Sequence, residues 1–543
     1  MKINKTFSFD FLPTPFGKWD YFLALLFVFS ALWVCAAQIT EGYGNWAGDF
    51  AQYINEAIHM LDGNLSTQIA NNTWMMDKSD SPVGPYRYPW AMALMLSPIY
   101  WFFGFNLLAF KMLGIVFYAL FVGSFYLFCA KTLPRVDAIW IALLFTFQPF
   151  LSFWSASYVT SDIPFLFIGF WTIWQVSSLF DSQKMPYTNQ KAYFNAILCG
   201  FLIAYASLLR SNGLLILFAL MTMHALLIFR FALEKFFFFQ RFIRLNNFVG
   251  RFFNVVLSLC QNIKTPYAWQ AHSVIYFVFL LLYFGVDACF PSAQGNVHVN
   301  MLSDISLEKT LTNSDQYLLA LFDLLGGNLQ KGLVVVFFLA MPLCCVGIQH
   351  CVVQNKRHFF VALCLLNLFL LLILWPGIFQ GFRFVFIFLP FLVFYVAKGM
   401  QVLKEKGKRI YIRFFGIPVA LIILNMMGML LMNANWNFYP FPKTKSGAFS
   451  VNSQPLWEYI QNNTPQNAII LNFKPRIVHL ATQRLGFFST DPSRLFEADY
   501  VLMAQNNVEN LMLMMNENTP FFQENTRLIF ENSDFKFYQV LKK

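Results

Sequence analysis

The chain has 543 residues, of which 58% are hydrophobic and 12% are charged, and its mean hydropathy is +0.52. A water-soluble protein carries about 25% charged residues, so this composition excludes a string of soluble domains and predicts a protein covered largely by lipid. An aromatic content of 19% also excludes collagen-like, disordered and disulfide-scaffold chains. The net charge of +11 must be sorted by membrane side before it indicates a partner.

Apolar runs of about twenty residues, the length that crosses a bilayer core, predict a polytopic α-helical membrane protein with about eleven transmembrane helices. The first run, Tyr21 to Ala37, has no convincing cleavage site and is predicted to be a retained signal anchor. The shorter run from Trp90 to Phe103 is predicted to be a re-entrant or juxtamembrane helix. The predicted spans cover approximately residues 21–38, 107–130, 138–151, 163–180, 193–209, 213–230, 271–290, 332–349, 359–376, 383–398 and 414–432.

The charged residues predict the orientation of these spans. With the N-terminus in the cytoplasm, Lys and Arg are concentrated in the cytoplasmic segments, whereas Asp and Glu are concentrated in the opposite loops. The basic stretch from Arg230 to Arg244 is then predicted to be an interfacial helix that contacts membrane lipids. Part of the net positive charge is therefore explained by the orientation of the spans in the membrane, and no nucleic-acid partner is expected.

The last part of the chain changes character, because Asn, Gln and charged residues become more frequent and apolar runs become shorter. Residues 433–543 are predicted to form a small soluble α/β domain, placed outside by an odd number of spans, while residues 1–432 form the transmembrane domain. Within the soluble part a helix is predicted near residues 457–463, and strands are predicted at 468–473, 500–503, 528–530 and 535–541.

The loop after the first span, residues 39–106 and here named the first loop, is the richest in polar residues. It predicts a helix that begins near Asp49 and ends at Gly63, on which Asp49, Tyr53 and Glu56 share roughly one face. Asp49 has two compatible interpretations. It is a helix N-cap, or it is an ionised carboxylate at the positive helix end, available as a base or metal ligand.

Further candidates lie at the same predicted membrane boundary. Asp162, before Pro164, is either part of a helix start or a second functional acid. Paired carboxylates can bind a divalent metal ion or divide acid and base roles. Arg87, Arg210 and Arg383 either extend to the lipid headgroups or bind a phosphate group through the guanidinium fork.

The order of these features resembles the GT-C superfamily of polyprenyl-phosphate-dependent glycosyltransferases, especially bacterial relatives of protein O-mannosyltransferases and of lipid A aminoarabinose transferase. An acidic juxtamembrane helix follows the first span, and the later segments that carry the resemblance are Tyr-Pro-Trp-Ala-Met-Ala-Leu, Ser161-Asp162-Ile-Pro-Phe-Leu-Phe, Leu209-Arg-Ser-Asn-Gly-Leu-Leu, Phe382-Arg-Phe-Val-Phe-Ile-Phe-Leu-Pro390 and Trp457-Glu-Tyr-Ile-Gln-Asn-Asn-Thr-Pro. Relatives often have an Asp-Glu pair where this chain has Asp49 and Phe50, and a Pro-Pro pair where it has Tyr-Pro.

The resemblance implies an inverting hexosyl- or pentosyltransferase that moves a sugar from a polyprenyl-phosphate donor to a lipid, glycan or protein acceptor. The reaction would occur on the external face of a bacterial inner membrane, under a periplasmic C-terminal domain. The implied roles are base for Asp49, second-loop acid or metal ligand for Asp162, phosphate binding for Arg87, Arg210 and Arg383, and substrate positioning for Tyr53 and Glu56. The implied cofactor is a divalent metal ion, held by Asp49 and Asp162.

Two other functions fit a chain with many spans and boundary arginines. One is a transporter or flippase for a lipid-linked sugar, and the other is a catalytically silent relative that binds a lipid. The coupling carboxylates of a transporter are expected near the bilayer midplane, within broken helices. Asp49 and Asp162 are instead predicted to lie in loops at one membrane surface, which favours the transferase.

Overall fold

A computed structural model describes residues 17–44, 46–80, 84–180, 189–235, 266–291, 306–326, 330–374, 382–405, 424, 426–428, 430, 442–505 and 516–541. Before residue 442 the described chain is almost entirely helical. Its helices are α1 (Lys18–Ala36), α2 (Asp49–Leu61), α3 (Leu65–Lys78), α4 (Ala91–Phe103), α5 (Leu107–Thr132), α6 (Arg135–Thr146), α7 (Pro149–Ser157), α8 (Asp162–Ser177), α9 (Asn189–Leu209), α10 (Leu214–Lys235), α11 (Pro266–Cys289), α12 (Leu307–Gly326), α13 (Gln330–Gln354), α14 (Arg357–Leu374) and α15 (Phe388–Glu405).

Six helical segments in the described part of the chain are long and apolar enough to cross a membrane. They coincide with six predicted spans and are Lys18–Ala36, Leu107–Thr132, Asp162–Phe180, Lys191–Leu209, His272–Cys289 and Arg357–Leu374. A seventh candidate is the pair α6 and α7, which bends by 46°. The bend falls before Pro149, where the ring removes a backbone donor and the Gln148 side chain caps the new helix.

The remaining predicted spans have different outcomes. The predicted span at 213–230 coincides with the first part of α10, which begins at Leu214, and the one at 332–349 lies within α13. The predicted span at 383–398 covers most of a 3₁₀ turn (Phe382–Val385) and the first part of α15. The predicted span at 414–432 lies almost entirely outside the described residues, as does the basic stretch beyond Lys235.

Helix α4 is too short to cross the bilayer, as predicted for this run. Its 13 residues extend about 20 Å, whereas the hydrocarbon core is about 30 Å thick. One side packs on α2, where the Ser97 hydroxyl donates to the Ala57 carbonyl oxygen at 3.2 Å. The other end exposes Trp101 and Phe102, each 70% accessible, as expected of a helix lying at a membrane boundary.

Helix α5 lies at the centre of the first half of the bundle and packs against α1, α6, α7 and α8. Its contacts are dominated by phenylalanine: the Phe125 ring lies 5.1 Å from Phe145 and 5.2 Å from Phe170, both edge to face. This geometry suits aromatic quadrupoles. Much of the high Phe content is therefore packed between helices.

The C-terminal part forms a sheet domain, as predicted. Its strands are β1 (Ile469–Asn472), β2 (Leu485–Phe487), β3 (Tyr500–Ala504), β4 (Thr526–Glu531) and β5 (Phe535–Val540), in the order β2-β1-β3-β5-β4. Strand β1 pairs in parallel with β2 and β3, whereas β5 pairs antiparallel with β3 and β4. Its helices are α16 (Gln454–Asn463), α17 (Pro475–Thr482) and α18 (Pro520–Asn525). The predicted strands are confirmed, and β2, three residues with a central glycine, is additional.

The first loop and the C-terminal sheet domain pack directly on each other. Helix α17 contacts α2 and α3, and backbone bridges join Glu41 to Lys443 and Tyr43 to Phe449. The Trp46 ring lies among three aromatic rings of the domain, those of Trp457, Phe473 and Phe535. These contacts place α17 beside α2 and α3. The boundary between residues 432 and 433 stays a prediction.

Candidate active site

The two predicted acids occupy equivalent positions, because Asp49 opens α2 and Asp162 opens α8. The N-cap residues are Gly48 and Ser161, and neither helix has a side-chain cap hydrogen bond. The interpretation of Asp49 as an N-cap is therefore wrong. Both carboxylates still lie at the positive end of a helix, where negative charge is favoured.

Asp49 is held by two groups from distant parts of the chain. Its Oδ2 lies 2.5 Å from Arg383 Nη1, and its Oδ1 accepts a hydrogen bond from the Tyr88 hydroxyl at 2.5 Å. Burial raises the pKa of Asp49, but the charge of Arg383 and the hydrogen bonds from Tyr88 and Arg383 outweigh it, so the pKa falls below the ordinary value of 3.8. Asp49 is therefore ionised at neutral pH and retains 22% side-chain exposure.

Asp162 forms an ion pair with Arg210, which directly follows α9. The Asp162 side chain is 1% exposed, and its Oδ2 has no hydrogen-bond partner among the described residues. The two ion pairs are neighbours, because the guanidinium groups of Arg210 and Arg383 lie 4.8 and 5.2 Å from the same Phe384 ring. A small cleft is lined by both arginines and Asp162.

Asp49, Tyr53 and Glu56 share one face of α2, as predicted, and each contacts Tyr88. The Tyr53 ring lies 4.6 Å from the Tyr88 ring, and its hydroxyl lies 3.0 Å from Ser161 Oγ. Glu56 is completely buried and accepts hydrogen bonds from Gln52 Nε2 and the Tyr88 amide. Burial raises the pKa of Glu56 from 4.5 to about 7 despite these hydrogen bonds.

Arg87 does not line this cleft. Its guanidinium pairs with Asp287 at 2.8 Å, donates to the Pro291 carbonyl oxygen at 3.3 Å and lies 5.7 Å from the Trp90 ring. The structure thus pairs Arg210 with Asp162 and Arg383 with Asp49, whereas Arg87 pairs with Asp287 near the end of α11.

Three residues of this site were missed by sequence reasoning. Tyr88 adjoins Arg87 in a segment of alternating Tyr and Arg, which is a weak signal. Lys474 and Arg476 come from the C-terminal sheet domain, and no sequence pattern connects them with residue 49. Arg476 is 2% exposed, its Nε donates to Asn72 Oδ1 at 2.8 Å, and its guanidinium lies 5.7 Å from the Tyr88 ring.

The oxygen atoms around the acids do not fit a divalent metal ion as they are arranged. Tyr88 and Arg383 occupy the two oxygens of Asp49, and Arg210 occupies one oxygen of Asp162. Among the described residues, no three His, Cys, Asp or Glu side chains form a group that could hold a metal. Since Mg²⁺ and Ca²⁺ need six or more oxygen ligands, no step below is assigned to a metal ion.

No protein-family model matches the sequence, and a comparison with curated proteins gives no match. Solved structures do match. The archaeal oligosaccharyltransferase AglB from Archaeoglobus fulgidus, in complex with an inhibitory peptide and a dolichol-phosphate, aligns with a TM-score of 0.50 and 12% identity over 90% of this chain and 70% of its own. ArnT from Cupriavidus metallidurans aligns over 95% of this chain and 97% of its own with a TM-score of 0.50, at 11% identity in the apo state and 12% bound to undecaprenyl phosphate.

The chain has a GT-C fold. The resemblance based on the residues around Asp49, Asp162, Arg210 and Arg383 is therefore confirmed at the level of the fold, together with the predicted fold class. In this chain the fold combines apolar helices long enough to cross a membrane with a small C-terminal sheet domain. The roles of the individual side chains stay predictions.

Proposed function

We propose that the protein is a membrane glycosyltransferase that moves a sugar from a polyprenyl-phosphate carrier to a lipid, glycan or protein acceptor. The observation that carries the proposal is the pair of neighbouring acid–arginine contacts, Asp49 with Arg383 and Asp162 with Arg210. Both arginines and Asp162 line one small cleft. Two proteins with the same fold support the choice of carrier, since their structures contain dolichol-phosphate and undecaprenyl phosphate.

The arginines are suited to the carrier phosphate. A guanidinium group presents parallel N–H donors that match phosphate oxygens. In the structure described here, Arg383 is paired with the Asp49 carboxylate. A phosphate that binds Arg383 would compete with Asp49 for these donors and release Asp49 Oδ2 for an acceptor. Donor binding would therefore prepare the base, and Asp162 would hold Arg210 in place for the same phosphate.

The proposed reaction is a single inverting displacement. The acceptor hydroxyl or amine attacks the anomeric carbon and gives its proton to Asp49, while the bond from that carbon to the phosphate oxygen breaks and its electron pair stays on the phosphate. Arg383 and Arg210 stabilise the charge that develops on the leaving group.

Tyr88 orients Asp49 through its hydroxyl hydrogen bond, and Tyr53 and Glu56 position Tyr88 from the same face of α2. None of these steps requires a divalent metal ion at Asp49 and Asp162.

The proposed location is the bacterial inner membrane, with the N-terminus in the cytoplasm and the C-terminal sheet domain on the periplasmic side. The bias of Lys and Arg in the sequence supports this orientation. The domain packs on the first loop beside Asp49, so it would cover the site and help to select the acceptor.

The substitution Asp49→Asn tests the assignment of the base. The sugar and acceptor are first identified by lipid and glycan mass spectrometry of cells with and without the gene, and transfer is then measured with purified protein in nanodiscs. Loss of a general base typically lowers the rate about 10²- to 10⁴-fold, so we expect a fall of that size with the protein still folded. Asp62→Asn, at the exposed other end of α2, is the matched control and should transfer at the wild-type rate.

Transfer by the Asp49→Asn variant at the wild-type rate would show that Asp49 is not the base. If the wild-type protein instead carries the intact lipid-linked sugar across the bilayer and transfers none of it, the glycosyltransferase proposal fails and the flippase is supported.

A further inference from the structure

A short segment of the C-terminal sheet domain, residues 473–476, contacts two neighbours of Asp49, namely Trp46 and Tyr88. At one end, the Phe473 ring lies 5.2 Å from the ring of Trp46, a residue three positions before Asp49 in the chain. At the other end, the Arg476 guanidinium lies 5.7 Å from the ring of Tyr88, whose hydroxyl binds Asp49. Lys474 lies between these two contacts in the chain, and its positive charge is attracted to the negative charge of Asp49.

Lys474 differs from the other cations of this region because, within the described ranges, its ammonium group makes neither a hydrogen bond nor an ion pair. Its backbone amide donates to Asn472 Oδ1 at 2.9 Å. Arg383 and Arg210 are paired with acids, and Arg476 is held by Asn72 and the Pro85 carbonyl. A half-buried ammonium group without a partner is unfavourable, and an anionic ligand would remove that penalty.

The charges of the site leave room for a further anionic group. The two carboxylates, Asp49 and Asp162, are matched by Arg383 and Arg210. Lys474 and Arg476 are therefore cations in excess, and Arg476 is already held by neutral groups. The proposed reaction also produces charge, because a sugar phosphodiester carries about one negative charge, whereas the phosphate monoester that leaves carries about 1.5 to 2. A cation that reaches the same phosphate would favour the leaving group over the donor.

We propose that Lys474 completes a phosphate-binding subsite for the lipid carrier, so that the C-terminal sheet domain contributes a ligand-binding group to the cleft. This inference rests on the proposed function and adds to it a residue from the far end of the chain. Lys474 contacts the carrier phosphate together with Arg383, and its contribution is greatest once the phosphate has become a monoester.

The test compares undecaprenyl phosphate with undecaprenol, which lacks the phosphate, as ligands of the full-length protein in nanodiscs. A hydrogen bond to a charged group corresponds to about a ten- to hundredfold change in affinity. We therefore expect Lys474→Met to weaken binding of undecaprenyl phosphate by about this factor and to leave undecaprenol binding unchanged. Lys474→Arg should retain most of the affinity, and Lys445→Met, at an exposed lysine of the same domain, should bind as the wild type does.

Each outcome separates this inference from the proposed function. Equal affinity of the wild type and Lys474→Met for undecaprenyl phosphate overturns the role of Lys474. A wild-type protein that binds undecaprenol as tightly as undecaprenyl phosphate contradicts phosphate recognition by the proposed transferase itself. Inorganic phosphate that displaces the lipid at comparable concentration assigns the subsite to a free anion and overturns the lipid-carrier assignment. If size-exclusion chromatography and thermal unfolding show that Lys474→Met folds poorly, the same binding measurements are made with Lys474→Gln.

Discussion

At the scale of single residues, two acids on one face of α2 behave in opposite ways. Asp49 meets a guanidinium group and is ionised, because the pKa lies below 3.8. Glu56 is completely buried and accepts hydrogen bonds from two neutral donors, the Gln52 side chain and the Tyr88 amide, and burial raises its pKa to about 7. The partners, rather than the residue type, decide which carboxylate is available as a base at neutral pH.

Glu56 should make the stability of the protein depend on pH. Its folded-state pKa of about 7 exceeds the ordinary value of 4.5, so the folded protein binds the proton more tightly than the unfolded chain. The stabilisation is complete below pH 4.5 and is lost as the pH rises to about 7, by about 3 kcal/mol in total. Glu56→Gln should remove this part of the pH dependence, which thermal unfolding at pH 5 and pH 8 measures.

The matched control for this prediction is Glu458→Gln, at an exposed position of α16, which should keep the wild-type pH dependence. The same change in unfolding temperature between pH 5 and pH 8 in Glu56→Gln and in the wild type would contradict the assignment to Glu56.

At the scale of elements, α17 connects the sheet domain to the site. All eight of its residues are buried, and it packs on α2, α3 and α16. Arg476 binds Asn72 of α3 and the Pro85 carbonyl, and its guanidinium fills the space beside Gly84. Because Gly84 has a φ of +139° and no Cβ, the loop that leads to Tyr88 can approach the arginine closely.

Gly84→Ala should push the loop that leads to Tyr88 away from α17, which carries Arg476. A Cβ at this position would collide with the Arg476 guanidinium, in addition to the backbone strain at positive φ. Gly63→Ala is the matched control, because Gly63 also has a positive φ, +71°, and its Cβ would meet nothing within 4 Å. We expect Gly63→Ala to cost about 1–2 kcal/mol of unfolding free energy from strain alone, and Gly84→Ala to cost more and to lower transfer activity through Tyr88. Equal effects of the two substitutions would contradict the role of the Arg476 contact.

At the scale of the whole molecule, the first loop and the sheet domain form one body over one end of the helix bundle. Aromatic rings of the domain surround Trp46, and the buried Arg476 binds Asn72 of α3. At the edge, Asp80 and Glu497 pair with Arg494, and Glu497 also pairs with Lys78. These groups are partly exposed, and surface ion pairs contribute about 0–1 kcal/mol each. The apolar and aromatic contacts therefore account for most of the association.

The orientation of this body can be tested with single cysteines in a variant without native cysteines. Asn462→Cys, exposed on α16, should react with a membrane-impermeant maleimide in spheroplasts, where the outer face of the inner membrane is accessible. Lys404→Cys, exposed near the end of α15, should react only after permeabilisation. The opposite pattern would invert the proposed topology and place the cleft in the cytoplasm.

Local features of the chain could be predicted because they depend on neighbouring residues. Apolar run length predicted the six span-length helices and the short α4, since a bilayer requires a minimum length of apolar helix. Helical spacing placed Asp49, Tyr53 and Glu56 on one face of α2, and short apolar runs predicted β1, β3, β4 and β5. Strand β2 was not predicted, because three residues carry too weak a pattern.

The sequence by itself determined that the protein is a helical membrane protein with a C-terminal α/β domain, and it limited the candidate site to a few acids and arginines. Only the tertiary structure decided how these residues combine. It paired Asp49 with Arg383, Asp162 with Arg210 and Arg87 with Asp287, and it brought the charge of Lys474 near that of Asp49. The physical reason is that hydropathy and helical periodicity act over a few turns, whereas these pairs join residues separated by tens to hundreds of positions and depend on how helices and sheet pack.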